Sequence, residues 1–162
     1  MNSHHFLTIL GLGNILLGDE GFGVHFIRWF SERHQFSEGV ELLDGGTLGF
    51  RLLDPITECD HLIVIDVIKL EDDPGAIYRF TRDEIQTHLP PPASAHEVEF
   101  LDVLIQAELI GRIPEVVFLV IVPEKYGDMV LEMTPRMHEK YHDMERLLLA
   151  ELSRLDISPI KK

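Results

Sequence analysis

The chain has 162 residues, 45% of them hydrophobic and 26% charged, which is the balance of a folded domain able to close a two-faced core. Its formal net charge of −14 excludes a phosphate-binding surface, so neither nucleic acid nor an anionic membrane is expected as a partner. Cys59 is the single cysteine, which excludes an intrachain disulfide, a cysteine-based metal centre and a Cys-x-x-Cys redox pair.

Apolar strand-sized runs alternate with segments of helical period, and this predicts an α/β fold with a mostly parallel sheet covered on both faces. The first strand is read over 6–10, ending in Gly11-Leu12-Gly13-Asn14. A helix follows over 22–33, with Val24, Ile27 and Phe30 turned inward. Strands are read over 40–43 and 61–65, the latter apolar enough to be buried on both faces. Between them Cys59 lies beside Glu58 and Asp60, acids that oppose a thiolate and make it a poor nucleophile. A shorter strand near an edge is read over 76–80, and the last core strand over 116–122.

Two further helices are signposted. Ser94-Ala95-His96-Glu97 is a capping box after the stiff run Pro90-Pro91-Pro92. Val98, Leu101, Leu104, Ile105 and Leu109 are expected to form the buried stripe of that helix, and Gly111 to stop it. Thr134-Pro135 opens the last helix, where Met137, Tyr141, Met144, Leu148, Leu152 and Leu155 recur at helical spacing. The N-terminus has no basic stretch leading into a long apolar one, and no apolar run approaches the roughly 20 residues that span a bilayer. One domain over 1–162, in the reducing cytoplasm, is the expectation.

In open α/β sheets, sites form outside the carboxyl ends of strands. Those ends carry Gly18-Asp19-Glu20-Gly21, Asp44-Gly45-Gly46-Thr47 and Asp66, and the proline run delivers His96 to a helix first turn. Gly11-Leu12-Gly13 begins like a dinucleotide fingerprint, but Leu16 stands where the third glycine belongs. Asp44 also lies well beyond the roughly 20 residues at which a ribose-binding acid is expected. Taken alone, Glu20 reads as an acid favoured by the dipole of the following helix. Asp66, after so buried a strand, requires a metal, a backbone N–H or a cation. The positive end of the helix beside His96 favours the neutral imidazole that binds metal. Together Glu20, Asp66 and His96 form a two-carboxylate, one-histidine set that could hold a divalent ion with open positions. The residues alone stop at a divalent metal.

These segments, in their order and spacing, resemble the endopeptidases that mature the large subunit of nickel–iron hydrogenases. The resemblance runs through residues 11–23, Asp44-Gly45-Gly46-Thr47, Asp66, Ser94-Ala95-His96 with Leu101 and Leu104, and Thr134-Pro135. The chain departs from the family at Val120-Ile121-Val122-Pro123, where many members have glycine, a hydrophobic residue and glutamine. The resemblance implies a three-layer α/β/α sandwich around about five strands. It implies removal of a short C-terminal peptide from the nickel-loaded large-subunit precursor, with nickel carried by the substrate and contacted by Glu20, Asp66 and His96. Gly45, Gly46 and Thr47 are candidate substrate contacts, and Asp44 and Asp19 are the candidates for a general base, a role the residues leave open. The alternatives are a nickel-binding accessory protein without protease activity and a nucleotide-binding oxidoreductase.

Overall fold

A computed structural model describes residues 4–88 and 95–162, apart from the side chains of Phe50, Gln86, His88 and residues 95–99. The elements in chain order are β1 (His5–Leu12), α1 (Phe22–Ser31), β2 (His34–Gln35), β3 (Val40–Gly46), α2 (Leu53–Thr57) and β4 (Cys59–Val67). They continue with β5 (Ile77–Thr81), α3 (Arg82–His88), α4 (Ala95–Leu109), β6 (Glu115–Ile121), α5 (Pro135–His138), α6 (Tyr141–Arg154) and β7 (Ile160–Lys161). Short helical turns over Gly18–Gly21 and Gly49–Leu52 precede α1 and α2. The capping Ser94 and the proline run fall outside the described residues.

β1, β4 and β6 are rich in Ile, Val and Leu and buried on both faces, so they occupy the middle of the sheet. The strand order is β3-β1-β4-β6-β5, parallel except for β5, which runs antiparallel to β6 at the edge. Alternation along each strand divides the core. Leu7, Ile9, Ile63, Ile65 and Leu119 pack with Phe22, Phe26, Met137, Met144 and Leu148 of α1, α5 and α6 on one face. Leu10, Leu62, Val64 and Phe118 pack with Ile56 of α2 and Phe100, Val103 and Leu104 of α4 on the other. The result is the expected three-layer sandwich. No helix among the described residues is long and apolar enough to cross a membrane.

Two expectations fail in detail. Ile105 and Leu109 are exposed, not buried, because α4 presents Phe100, Val103, Leu104 and Ala107 to the sheet. Those four residues follow the i, i+3, i+4, i+7 rule, and Ile105 and Leu109 fall off that face. The last helix is two helices, α5 and α6, broken at Glu139–Lys140. Thr134 does not cap α5 with its side chain, and its hydroxyl is engaged elsewhere.

The sheet also has a topological switch. From β1 the chain crosses over α1 to β3, and from β4 it proceeds through β5, α3 and α4 to β6 on the opposite side. In open α/β sheets such a switch, outside the carboxyl ends of β1 and β4 here, is where sites form. Register brings the ends together: Gly11 lies opposite both Asp44 and Ile65, and Asp66 lies opposite Val120.

Candidate functional site

Close backbone approach shapes this end of the sheet. A Cβ on Gly23 would sit 2.2 Å from the carbonyl oxygens of both Leu12 and Ile65, so α1 starts directly on the ends of β1 and β4. A Cβ on Gly13, where φ is +144°, would sit 2.2 Å from the Glu20 carbonyl. The loop after β1 thus folds back on its own strand, into the space a pyrophosphate would need. That accounts for the glycines without a nucleotide. The turn inside this loop is closed by Asn14, whose Oδ1 accepts from the Leu16 N–H and whose carbonyl accepts from the Leu17 N–H.

The neighbouring acids Asp19 and Glu20 are both 2% exposed. The Asp19 carboxylate accepts from the backbone N–H groups of Glu124 (3.1 Å), Lys125 (2.9 Å) and Thr134 (2.7 Å). The Thr134 hydroxyl also lies against both of its oxygens. Asp19 therefore ties the loop after β1 to both ends of the loop after β6, and it does so with both oxygens. Among the described residues Glu20 accepts one hydrogen bond, from the Gly127 N–H at 2.9 Å to Oε2, and has no ion pair. A carboxylate so buried and so sparsely satisfied is suited to a cation from outside the chain.

Asp66 ends the buried run of β4 and is 7% exposed. Its Oδ1 accepts from the Val67 N–H at 2.7 Å. Its neighbours two residues away, Val64 and Ile68, face the α2 and α4 layer, so alternation directs Asp66 to that side. A short connection joins α4 to β6, so α4 ends where β6 begins. Its first turn, which holds His96, accordingly points back toward the sheet end that carries Asp66 and Glu20. The His96 side chain lies outside the described residues.

Asp44 is placed differently. Arg28 of α1 donates to its Oδ2 through Nε (3.1 Å) and Nη2 (2.8 Å), at a half-exposed position. In the order β3-β1-β4, Asp44 stands two strand spacings, about 10 Å, from the end of β4. Gly45 forms a bulge against Leu10 and Leu12, and the Gly46 carbonyl accepts from the Gly13 N–H at 3.1 Å. Both glycines thus join the second loop to the first, and Thr47 beyond them is exposed.

Two groups at this end of the sheet escape sequence reading. His25, on the first turn of α1, buries an Nε2 with no hydrogen-bond partner among the described residues, against Gly21. Burial, then the charges of Arg28 and His138, hold its imidazole below the ordinary 6.5, with Asp44 pulling the other way. Lys69 lies over the Tyr126 ring at 5.1 Å, bridging the loops after β4 and β6. Cys59 is at the opposite end of β4, where burial foremost pushes its thiol up to about 11 and keeps it inert.

A family model described as hydrogenase maturation protease matches residues 24–151. The hydrogenase expression/formation protein HoxM of Azotobacter vinelandii is 37% identical over 124 residues, 75% of this chain and 60% of that protein. This chain thus spans less than two thirds of that relative. The hydrogenase 2 maturation protease of Escherichia coli is 30% identical over 158 residues, 96% of each chain. The solved structure of the Escherichia coli hydrogenase maturating endopeptidase HybD superimposes with a TM-score of 0.90 at 29% identity, covering 96% of this chain and 97% of that one.

Proposed function

Because the chain belongs to the hydrogenase maturation protease family, we propose that it is an endopeptidase that trims a C-terminal peptide from a nickel-loaded hydrogenase large-subunit precursor. The observation that carries this reading is the pair of buried carboxylates, Glu20 in the turn after β1 and Asp66 at the end of β4, the two strands that flank the switch point. Hard oxygen donors without a thiolate bind a divalent ion weakly on their own, which suits an ion delivered by the substrate. Nickel is then part of the substrate, held by the precursor's own ligands, and the reaction belongs to the cytoplasm.

Glu20, Asp66 and His96 would contact that nickel and dock the precursor through it. Bound there, the metal would supply polarisation of the scissile carbonyl or of a water. Glu20 is held for its part by the Gly127 N–H, and Asp66 by the Val67 N–H. Of the two acids considered as general base, Asp19 spends both oxygens on loop donors, whereas Arg28 takes only Oδ2 of Asp44. Asp44 is the better placed to act on the peptide, from about two strand spacings away.

Incubation with a nickel-loaded large-subunit precursor, followed by mass spectrometry, tests the reading. The wild-type chain should remove a small C-terminal fragment. Glu20→Gln and Asp66→Asn should abolish the cut while still melting cooperatively. Metal-free precursor should stay intact even with zinc added to the enzyme. Equal cutting of metal-free precursor by the zinc-loaded chain would overturn recognition through nickel. Binding without any cut would leave an accessory protein instead.

A further inference from the structure

The loop over 123–134 combines two properties. Its backbone is fastened to the site: Glu124, Lys125 and Thr134 donate to Asp19, and Gly127 donates to Glu20. Its tip nevertheless turns three large apolar side chains to solvent, Met129 at 85%, Val130 at 49% and Leu131 at 67% exposure. The Gly18 N–H donates to the Val130 carbonyl at 2.6 Å, and a Cβ on Gly18 would lie 2.9 Å from Val130 Cγ2. The tip therefore rests on the turn that carries Leu16, itself 56% exposed. An anchored loop that leaves apolar side chains unburied beside a buried polar site has the make-up of a partner-binding surface, apolar anchors around a polar centre.

We propose that Met129, Val130 and Leu131, with Leu16, form a lip that grips an extended apolar segment of the precursor next to the scissile bond. This rests on the processing function proposed above and names the part of the substrate that the site takes. Continuity points to the occupant, because Gly127 of this loop is bonded to Glu20 and the lip therefore adjoins the group proposed to meet the precursor. Charge narrows it further. Asp128 and Glu132 flank the apolar tip, so the gripped residues should be apolar with basic rather than acidic neighbours. Lys69 is outside the lip, engaged with the Tyr126 ring.

The test pairs hydrogen–deuterium exchange with steady-state kinetics, using the full chain and a nickel-loaded large-subunit precursor that retains its C-terminal extension. Adding precursor should slow amide exchange over 127–131. The double variant Met129→Asp, Leu131→Asp should raise KM about tenfold or more while kcat stays within about twofold, the pattern of lost uniform binding. Leu109→Asp, at an equally exposed apolar residue on α4, should leave both constants unchanged. Unslowed exchange over 127–131, an unchanged KM in the double variant, or an equal rise in Leu109→Asp would each overturn the lip. Slowed exchange without cleavage by the wild-type chain would sink the protease reading and leave the lip standing.

Discussion

Asp19 and Glu20 are sequence neighbours with the same burial, yet their partners separate their roles. Asp19 is wrapped by three backbone N–H groups and a hydroxyl, so its negative charge holds two loops together. Asp19→Asn would turn an amide NH2 toward donors and forfeit those bonds on one side. A loss of about 2–3 kcal/mol in urea unfolding is expected, the scale of a charge-assisted hydrogen bond to a buried group. Full stability with abolished cleavage would instead make Asp19 the general base. His25 gives a pH dependence. Its folded imidazole titrates below 6.5, so the unfolded chain binds the proton more readily. The stability it contributes is complete above 6.5 and is lost as pH falls from there through the lower folded value. Melting temperatures measured at about pH 7.5 and about pH 5.5 should therefore diverge more for the wild-type chain than for His25→Gln.

Among the elements, α1 depends most on a single position. Gly23 lets the helix begin against the carbonyl oxygens of Leu12 and Ile65, and neither backbone atom can swing aside as a flexible side chain would. Gly23→Ala must lift α1 from β1 and β4, at an expected cost of at least about 3 kcal/mol, the upper end for overpacking. Glu20, one turn ahead of that contact, would move with the helix. Chemical denaturation of the variant checks the cost, and a change below about 1 kcal/mol would show that the helix start is not pinned there. Two further joints lie at the β5 edge of the main sheet and in the separate two-stranded sheet. The antiparallel β5 is bound to α6 through Arg79, which donates to Glu151 with Nε (2.7 Å) and Nη2 (3.0 Å). The C-terminal β7 pairs with β2, fastening the end of the chain beside α1.

For the whole molecule, local pattern determined much that the structure bears out. The apolar runs around Ile9, Ile63 and Leu119 read as central strands because they are strand-sized, rich in Ile, Val and Leu, and suited to a parallel sheet covered on both faces. The 3.6-residue spacing of Met144, Leu148 and Leu152 likewise permitted only a packed helix, and all three are fully buried. The order of polar residues at strand ends brought Glu20, Asp44 and Asp66 onto one short list, since parallel strands must end on the same side of their sheet. What tertiary structure alone decided lies between segments distant in sequence. Nothing local tells that Thr134 gives its hydroxyl to Asp19 instead of to its own helix, or that Gly127 supplies the hydrogen bond of Glu20. Nor does periodicity choose between Ile105 and Phe100 for the buried face of α4, because both lie on plausible apolar stripes and only the sheet beneath selects one. Spacing records which side chains share a face. Which face is covered, and which donor meets which acid, depends on the three-dimensional meeting of loops after β1 and β6, more than a hundred residues apart.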